Sequence, residues 1–431
     1  MSARGASLLA GAAVVLVCVF GHLAAETEHA GPPVAAPSTT TSAQGEYLVR
    51  AGGCMTCHTS DSARPFAGGR PIATPFGDVI APNLTSDRAT GIGAWTDAQF
   101  IRAMREGIGR NGERLYPAFP YTAYTRLTDG DLLAMRAYLA TVPPVRTARP
   151  RNSLSFPFDQ RWLMALWNLV NFTPGRFVPD PSKSAEWNRG AYLVEGLGHC
   201  GECHTPRNWL GGLNQSERLA GATVAGWQAG NLTPDRVAGM GAWRDDELLR
   251  FLSTGAAPGR AYALGPMAEV VSASTQYLTP DDLRAMILYL RSVPTVATKD
   301  AKVRTGFGKP ARVDITALDT PGNDTAGARL YAAACASCHG MTGEGGKTFP
   351  SLVHDGVTGW LGTRTTSNLV LVMLHGVNRQ TRAAPALMPA FAAQFTDEQI
   401  ATLGNYVTRQ FGDPVATTDA KAVARLRAIA Q

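Results

Sequence analysis

The chain has 431 residues, 45% of them apolar and 17% charged, with a formal net charge of +6. That length accommodates about three domains of ordinary size, and the apolar fraction excludes a disordered or fibrous chain. The charge excess is mild and no dense Lys/Arg run carries it, so nucleic acid is not among the expected partners.

The N-terminus carries Arg4, an apolar run from Leu8 to Phe20, and Leu23-Ala24-Ala25 before Glu26. A positive charge, a short apolar core and small residues predict a secretory signal over residues 1–25. The run is too short to be a good membrane span. Three segments follow, each opening on a helical stretch that contains a glycine and an aromatic residue: Gly45-Glu46-Tyr47-Leu48, Gly190-Ala191-Tyr192-Leu193 and Gly327-Ala328-Arg329-Leu330-Tyr331. After each stretch comes the same pentapeptide pattern. It reads Cys54-Met55-Thr56-Cys57-His58, then Cys200-Gly201-Glu202-Cys203-His204, then Cys335-Ala336-Ser337-Cys338-His339. Six of the seven cysteines sit in these motifs, and the seventh, Cys18, lies in the predicted signal.

Cys-x-x-Cys-His is the attachment spacing of c-type haem: two thiols bond the porphyrin and the adjacent His ligates the iron. Two Cys-x-x-Cys pairs could instead close a zinc site, and a single pair could act as a redox dithiol. Neither alternative accounts for a His directly after every pair. The motifs therefore predict three covalently bound haem c groups, with His58, His204 and His339 as proximal iron ligands.

Each segment closes on a helix with a repeated start. Leu127-Thr128-Asp129 leads to Tyr138, Leu278-Thr279-Pro280 to Tyr289, and Phe395-Thr396-Asp397 to Tyr406, a Thr-to-Tyr interval of ten residues each time. Thr caps such a helix, and carboxylates in its first turn favour the dipole. A closing helix crossing the opening helix at its glycine, with the Tyr filling the gap, is the cytochrome c arrangement. The expected fold is mainly α, with three tandem class-I-like cytochrome c domains at 41–147, 185–297 and 321–413. Joints at 148–184 and 298–320 separate them, and a tail covers 414–431.

The first two segments share Asn-Leu-Thr (Asn83 and Asn231) and Gly-x-Gly-Ala-Trp (ending at Trp95 and Trp243). Either these residues line the haem pocket and hydrogen-bond propionates, or they form a loop and a core Trp. The first joint holds an apolar stretch from Arg161 to Phe172, which can lie on a membrane, grip a partner or pack between domains. The tail, with Lys421, Arg425 and Arg427, reads as a short basic helix on a membrane surface or in solvent.

Cytochromes c commonly place a Met sulfur opposite the His, which raises the reduction potential. Gly265-Pro266-Met267-Ala268 and Leu387-Met388-Pro389 put Met267 and Met388 in the loops before the closing helices. The first segment has Tyr116-Pro117-Ala118-Phe119-Pro120 there, so Phe119 stands where Met is expected. Met55, Met104 and Met135 are poorly placed to substitute. The remaining His29, His199, His354 and His375 read as ordinary loop or surface residues. The first haem is then five-coordinate, binds water, or takes a ligand from elsewhere, with a lowered potential.

Residues Ala185 to Asn208, together with Leu115 to Tyr121, Gly265 to Val271 and Leu403 to Val407, resemble the three-haem cytochrome c subunit of bacterial membrane-bound dehydrogenases. The resemblance runs from about Gly45 to the C-terminus. It implies a subunit at the periplasmic face of the inner membrane that takes electrons from a large dehydrogenase subunit and passes them to ubiquinone. Cys54, Cys57, Cys200, Cys203, Cys335 and Cys338 attach haem on this reading, and Met267 and Met388 are distal ligands. The large partner in that family is a quinoprotein alcohol dehydrogenase, a flavoprotein gluconate dehydrogenase or a molybdenum-type aldehyde-oxidising enzyme. Tyr-Pro-Ala-Phe-Pro departs from the Met usual in the first two and is more similar to cytochromes that accompany molybdenum hydroxylases. No Ser/His/Asp arrangement, phosphate loop or nucleotide fingerprint is evident, so the chain is expected to do no substrate chemistry alone. A peroxidase built on the first haem, with Glu113, Arg114 or Tyr116 as its acid–base group, and a free electron carrier are the alternatives.

Overall fold

The computed structural model describes residues 39–148, 150–297, 310–311, 325–346, 349–353 and 366–429. The predicted signal, most of the second joint, His29 and His354 lie outside the described residues. Around the first motif run α1 (Thr39–Ala51), α2 (Cys54–His58), the hairpin β1 (Pro71–Thr74) and β2 (Gly77–Ile80), then α3 (Asp97–Glu106), α4 (Tyr121–Tyr124) and α5 (Asp129–Thr141). The joint contributes α6 (Leu163–Asn171). The second region repeats the order with α7 (Ala185–Tyr192), α8 (Gly201–His204), β3 (Ala222–Val224), β4 (Trp227–Ala229) and α9 (Asp245–Thr254). It continues through β5 (Ala256–Ala257), β6 (Ala261–Tyr262), α10 (Gly265–Ala273) and α11 (Pro280–Ser292). The third has α12 (Thr325–Ala334), α13 (Ala336–His339), α14 (Ser367–His375), β7 (Val377–Arg379), β8 (Ala386–Met388), α15 (Asp397–Phe411) and α16 (Ala420–Arg427).

The closing helices begin as their sequences dictate. Thr128, Thr279 and Thr396 each accept a hydrogen bond from the backbone N–H three residues on, at Asp131, Asp282 and Gln399. This satisfies a donor that the helix itself leaves unpaired. The opening helix crosses the closing helix at its glycine. A Cβ on Gly45 would stand 1.9 Å from the Ala134 carbonyl oxygen, and one on Gly190 would stand 1.9 Å from that of Ala285. Tyr138 and Tyr289 begin beside the same crossings, as expected of gap-filling residues. In the third pair, Tyr331 is 1% exposed and its ring lies 5.6 Å from Tyr406 and 5.2 Å from Phe411.

Four two-stranded antiparallel hairpins were not legible in the sequence. Their strands span two to four residues, too few for a period-two pattern to register.

Tandem placement understates how the first two regions combine. A single hydrophobic core runs through both, from Leu48 and Val49 through Leu132 and Met135 to Leu193, Val194, Leu197 and Leu290. The contact is close to two-fold symmetric. Tyr47 on α1 donates to Asp282 on α11 at 2.5 Å, and Tyr192 on α7 donates to Asp131 on α5 at 2.5 Å. Each hydroxyl also accepts a backbone N–H at 3.1 Å, from the capping Thr279 and Thr128 respectively. Symmetry fails at one position: Arg189 grips Asp282 through two bonds of 2.8 and 2.7 Å, whereas Gln44 makes one bond of 3.1 Å to Asp131.

The third region has its own core, built on Tyr331, Leu374, Ile400, Leu403 and Phe411. It docks on the second region through a small apolar cluster, Trp227 and Leu264 against Leu371, Val372 and Val377, and through polar bonds. The Asn368 amide pairs with both backbone groups of Gln228 on β4, at 2.7 and 3.2 Å. Gln380 and Arg382 bond to Ser272 and Gln276 beside α10. Tyr277 joins all three regions, with Arg50 over its ring at 4.5 Å and Arg382 at 4.9 Å.

The tail departs from expectation. Its helix α16 neither floats in solvent nor presents a free basic face. Val423 is fully buried against the third core, and Arg427 bonds Asp397 at 2.7 Å. The first joint divides by face. Met164 and Trp167 of α6 pack toward the first region, and the Trp167 indole donates to Leu210 O at 2.9 Å. Trp162, Leu166, Leu169 and Val170 point outward, Leu169 being 84% exposed. Among the described residues, no helix is long and apolar enough to cross a membrane.

Candidate haem centres

Each motif forms a short helix with its His at the end, α2, α8 and α13. The His then meets a backbone carbonyl through Nδ1: His58 with Pro82 O at 2.7 Å, His204 with Gly230 O at 2.6 Å, His339 with Pro350 O at 2.9 Å. A carbonyl only accepts, so Nδ1 carries the hydrogen, and Nε2 is the atom with a lone pair for iron. Such an outer partner fixes the tautomer and orientation of a ligating His. Burial lowers the pKa of His204 and His339 despite the opposing effect of these bonds, which favours the neutral, ligating form.

The chain builds the three carbonyl contacts in the same way. A glycine with positive φ (Gly68 at 75°, Gly221 at 91°, Gly345 at 64°) donates its N–H to the carbonyl of the motif His at 2.8 Å. A Cβ there would lie within 3.1 Å of the backbone that carries the accepting carbonyl. Only glycine allows that approach in this conformation. The glycine lies ten residues after His58, seventeen after His204 and six after His339. Loop length varies while the junction stays the same.

Here the Asn-Leu-Thr repeat finds its role. Asn83 Oδ1 accepts from Thr85 N at 2.8 Å and Thr85 Oγ1 at 2.7 Å, while Nδ2 donates to Val145 O at 2.7 Å and Thr90 Oγ1 at 3.1 Å. Asn231 repeats the bonds to Thr233 and donates to Val296 O at 2.8 Å. Both Asn side chains are spent on the loop, so the propionate alternative gives way to the structural one. They pin the turn directly after Pro82 and Gly230. In the third region Ser351 does similar work, accepting from Val353 N at 3.0 Å. The carbonyls of Pro82, Gly230 and Pro350 were missed in the sequence; the residue before each repeat was the available signal.

The thiols are held in buried surroundings. Burial pushes Cys54 and Cys200 up to about 12 and Cys335 up to about 11, and also raises Cys57 and Cys203. A redox dithiol or a zinc-binding thiolate needs the opposite shift. Among the described residues no three His, Cys, Asp or Glu side chains converge as a metal-binding group. Buried paired thiols beside an oriented imidazole fit covalent haem.

Met267 lies in the first turn of α10 rather than in a loop, because Pro266 is favourable at a helix start. Met388 ends β8, paired with Val377, and packs against the third core. Phe119 precedes α4, its ring 5.6 Å from Tyr124 and 6.5 Å from Tyr121. His375 ends α14, with Nε2 buried and unbonded.

The first two motifs lie side by side. His199, directly before Cys200, meets Gly52 O through Nε2 at 3.3 Å, two residues before Cys54. Its ring lies edge-on to Tyr124 at 5.6 Å. His199 is thus an interface residue, not the ordinary loop His expected. Arg70 ties the first motif to α10: it bonds Thr56 O at 2.8 Å and Glu269 twice at 2.9 Å. The mirror contact is Thr122 of α4 with Glu202 of the second motif, at 2.8 Å.

A haem-attachment turn held between crossed helices defines a c-type cytochrome. Family models agree: residues 42–143 match cytochrome c, and 322–407 match cytochrome c oxidase, cbb3-type, subunit III. The chain belongs, more narrowly, to the family of cytochrome c subunits of bacterial dehydrogenases. It is 41% identical over 415 residues to the fructose dehydrogenase cytochrome subunit of Gluconobacter japonicus, covering 92% of this chain and 85% of that one. It is 38% identical over 400 residues to the gluconate 2-dehydrogenase cytochrome c subunit of Pantoea cypripedii, with 89% of each covered. A nicotinate dehydrogenase subunit of Pseudomonas putida is 40% identical over 384 residues, covering 88% of this chain but 31% of that longer protein.

Proposed function

We propose that this chain is the electron-transfer subunit of a dehydrogenase complex at the periplasmic face of the bacterial inner membrane. On this reading it carries three haem c groups, one per motif. It takes electrons from a separate catalytic subunit and passes them to ubiquinone. The observation that carries it is the His–carbonyl–glycine junction, built three times from loops of different length. Bound covalently, haem would supply reversible one-electron exchange at iron. The six motif cysteines would hold it, with His58, His204 and His339 on one face and Met267 and Met388 on the other for the second and third groups.

The adjacency of Gly52 and His199 supports close passage between the first and second haems. The second region touches both others, which makes it the natural middle of the relay. For the membrane contact, the outward face of α6 is the best-supported surface. Trp162 and the 89% exposed Trp209 accompany its apolar residues, and Trp at the edge of an apolar face suits the headgroup layer.

Two of the groups proposed for the peroxidase alternative, Glu113 and Tyr116, are engaged in loop bonds. Glu113 accepts from Asn111 N at 2.9 Å, and the Tyr116 hydroxyl donates to Asp159 O at 2.8 Å.

Purification from membranes in mild detergent tests the reading. A large subunit should accompany the chain, total haem should be three per chain, and substrate should reduce haem and then ubiquinone. The substrates to try first are sugars and aldonic acids, after the fructose and gluconate enzymes, then nicotinate, alcohols and aldehydes. A chain that purifies alone, with no substrate-driven haem reduction, rejects it. Leu169→Glu with Trp209→Ser should abolish sedimentation with anionic vesicles; unchanged sedimentation rejects the α6 contact.

A further inference from the structure

Resting on the haem-carrying reading above, we infer that His58 is the sole protein ligand of the first haem's iron. Its other face, walled by Phe119, is a binding site for small neutral diatomic molecules of the carbon monoxide class. Residues 41–147 contain no Lys, no second His and three Met. Met55 lies on the same five-residue helix as His58, so it stays on the His side of a ring attached there. Met104 and Met135 are 6% and 1% exposed, locked into the shared core from α3 and α5. The nearest His from elsewhere, His199, is occupied with Gly52 O and the Tyr124 ring.

The tyrosines around Phe119 are engaged as well. Tyr116 donates to Asp159 O at 2.8 Å, Tyr121 to Asn168 Oδ1 at 2.6 Å and Tyr124 to Gly52 O at 3.1 Å. What remains near Phe119 is an aromatic wall whose hydroxyl hydrogens are committed. The tyrosine hydroxyls of this wall have no hydrogen left to offer an anion, which favours neutral ligands. It also withholds the thioether that raises potential, which leaves this haem below the other two.

The experiment uses the purified full-length holoprotein, with total haem measured first. A total other than three per chain strikes the haem-carrying reading itself and is separable from the ligand assignment. With three present, dithionite reduction and carbon monoxide should give a difference spectrum for one haem per chain. Cyanide should bind the oxidised form at least tenfold more weakly than carbon monoxide binds the reduced form. Phe119→Met should take the carbon monoxide-reactive fraction from one to zero with total haem unchanged, and should raise that haem's potential. Should that variant fail to fold, Phe119→Leu keeps the test alive and should bind carbon monoxide as the unmodified protein does. Met104→Leu and Met135→Leu should leave the spectrum unchanged. No reactive haem in the unmodified protein, equal binding in Phe119→Met, or new binding on loss of Met104 or Met135 would overturn the assignment.

Discussion

The first two motif regions differ from the third in what completes them. α1 and α7 each place a tyrosine on a carboxylate of the partner's closing helix, and one core runs beneath both. The third region has a core of its own, which α16 packs against, and meets the second through a small apolar cluster around Trp227, an amide pair and loop bonds. Similar helix pairs can therefore be cooperative or nearly independent. Which one results depends on how much apolar surface lies at the joint, a continuous core in one case and a small cluster in the other, since burial of apolar area supplies most of the coupling.

The largest expected effect comes at a helix crossing. Gly190→Leu would drive a side chain into the Ala285 carbonyl. It should cost about 3 kcal/mol or more by overpacking. Thermal unfolding followed at the haem bands should show the first and second regions lost together while the third persists. Loss of the second alone would break the comparison.

Next is Asp282→Ala, which strands the Tyr47 hydroxyl and the Arg189 guanidinium at once. The expected loss is about 2–3 kcal/mol. Asp131→Ala should cost roughly half that, because Gln44 makes a single neutral contact in place of Arg189. Equal losses in denaturant titrations would mean that the asymmetry carries no energy.

Acid should find the same joint. Burial pushes the Asp282 carboxyl up, but bonds from Arg189 and Tyr47 outweigh it and hold the group below its ordinary value. A carboxylate depressed in the folded state stabilises above its unfolded pKa of about 3.9. That contribution disappears as pH falls through the folded value. The joint should therefore loosen below about pH 4, with Asp282→Asn removing this part of the pH dependence. An unchanged acid midpoint in Asp282→Asn would refute it.

The smallest effect is Arg427→Ala, which removes bonds to Asp397, Ala392 O and Phe395 O. It should lower the third region's stability by about 1 kcal/mol and leave the first two unmoved; a shift in their transition would tie α16 to the whole molecule.

What the sequence made legible was local or repeated. The Thr caps, the crossing glycines and the Cys-x-x-Cys-His turns all announce themselves within a dozen residues. The function of Asn83 was out of reach because its decisive partner, Val145 O, is 62 residues away. The Tyr47–Asp282 bond spans 235 residues and leaves no periodic trace. Periodicity marked α6 as apolar without saying which face was covered. In the tail, basic residues drew attention from Val423, the buried position of its helix.

The 235-residue span between Tyr47 and Asp282 also sets a schedule. A chain emerging from its N-terminus presents the first Cys-x-x-Cys-His turn long before α11 exists to complete the fold around it. Until then Cys54 and Cys57 are not yet buried by the second region. If the first motif carries haem as proposed, porphyrin addition there has an early period of easy access that ends when the second region closes.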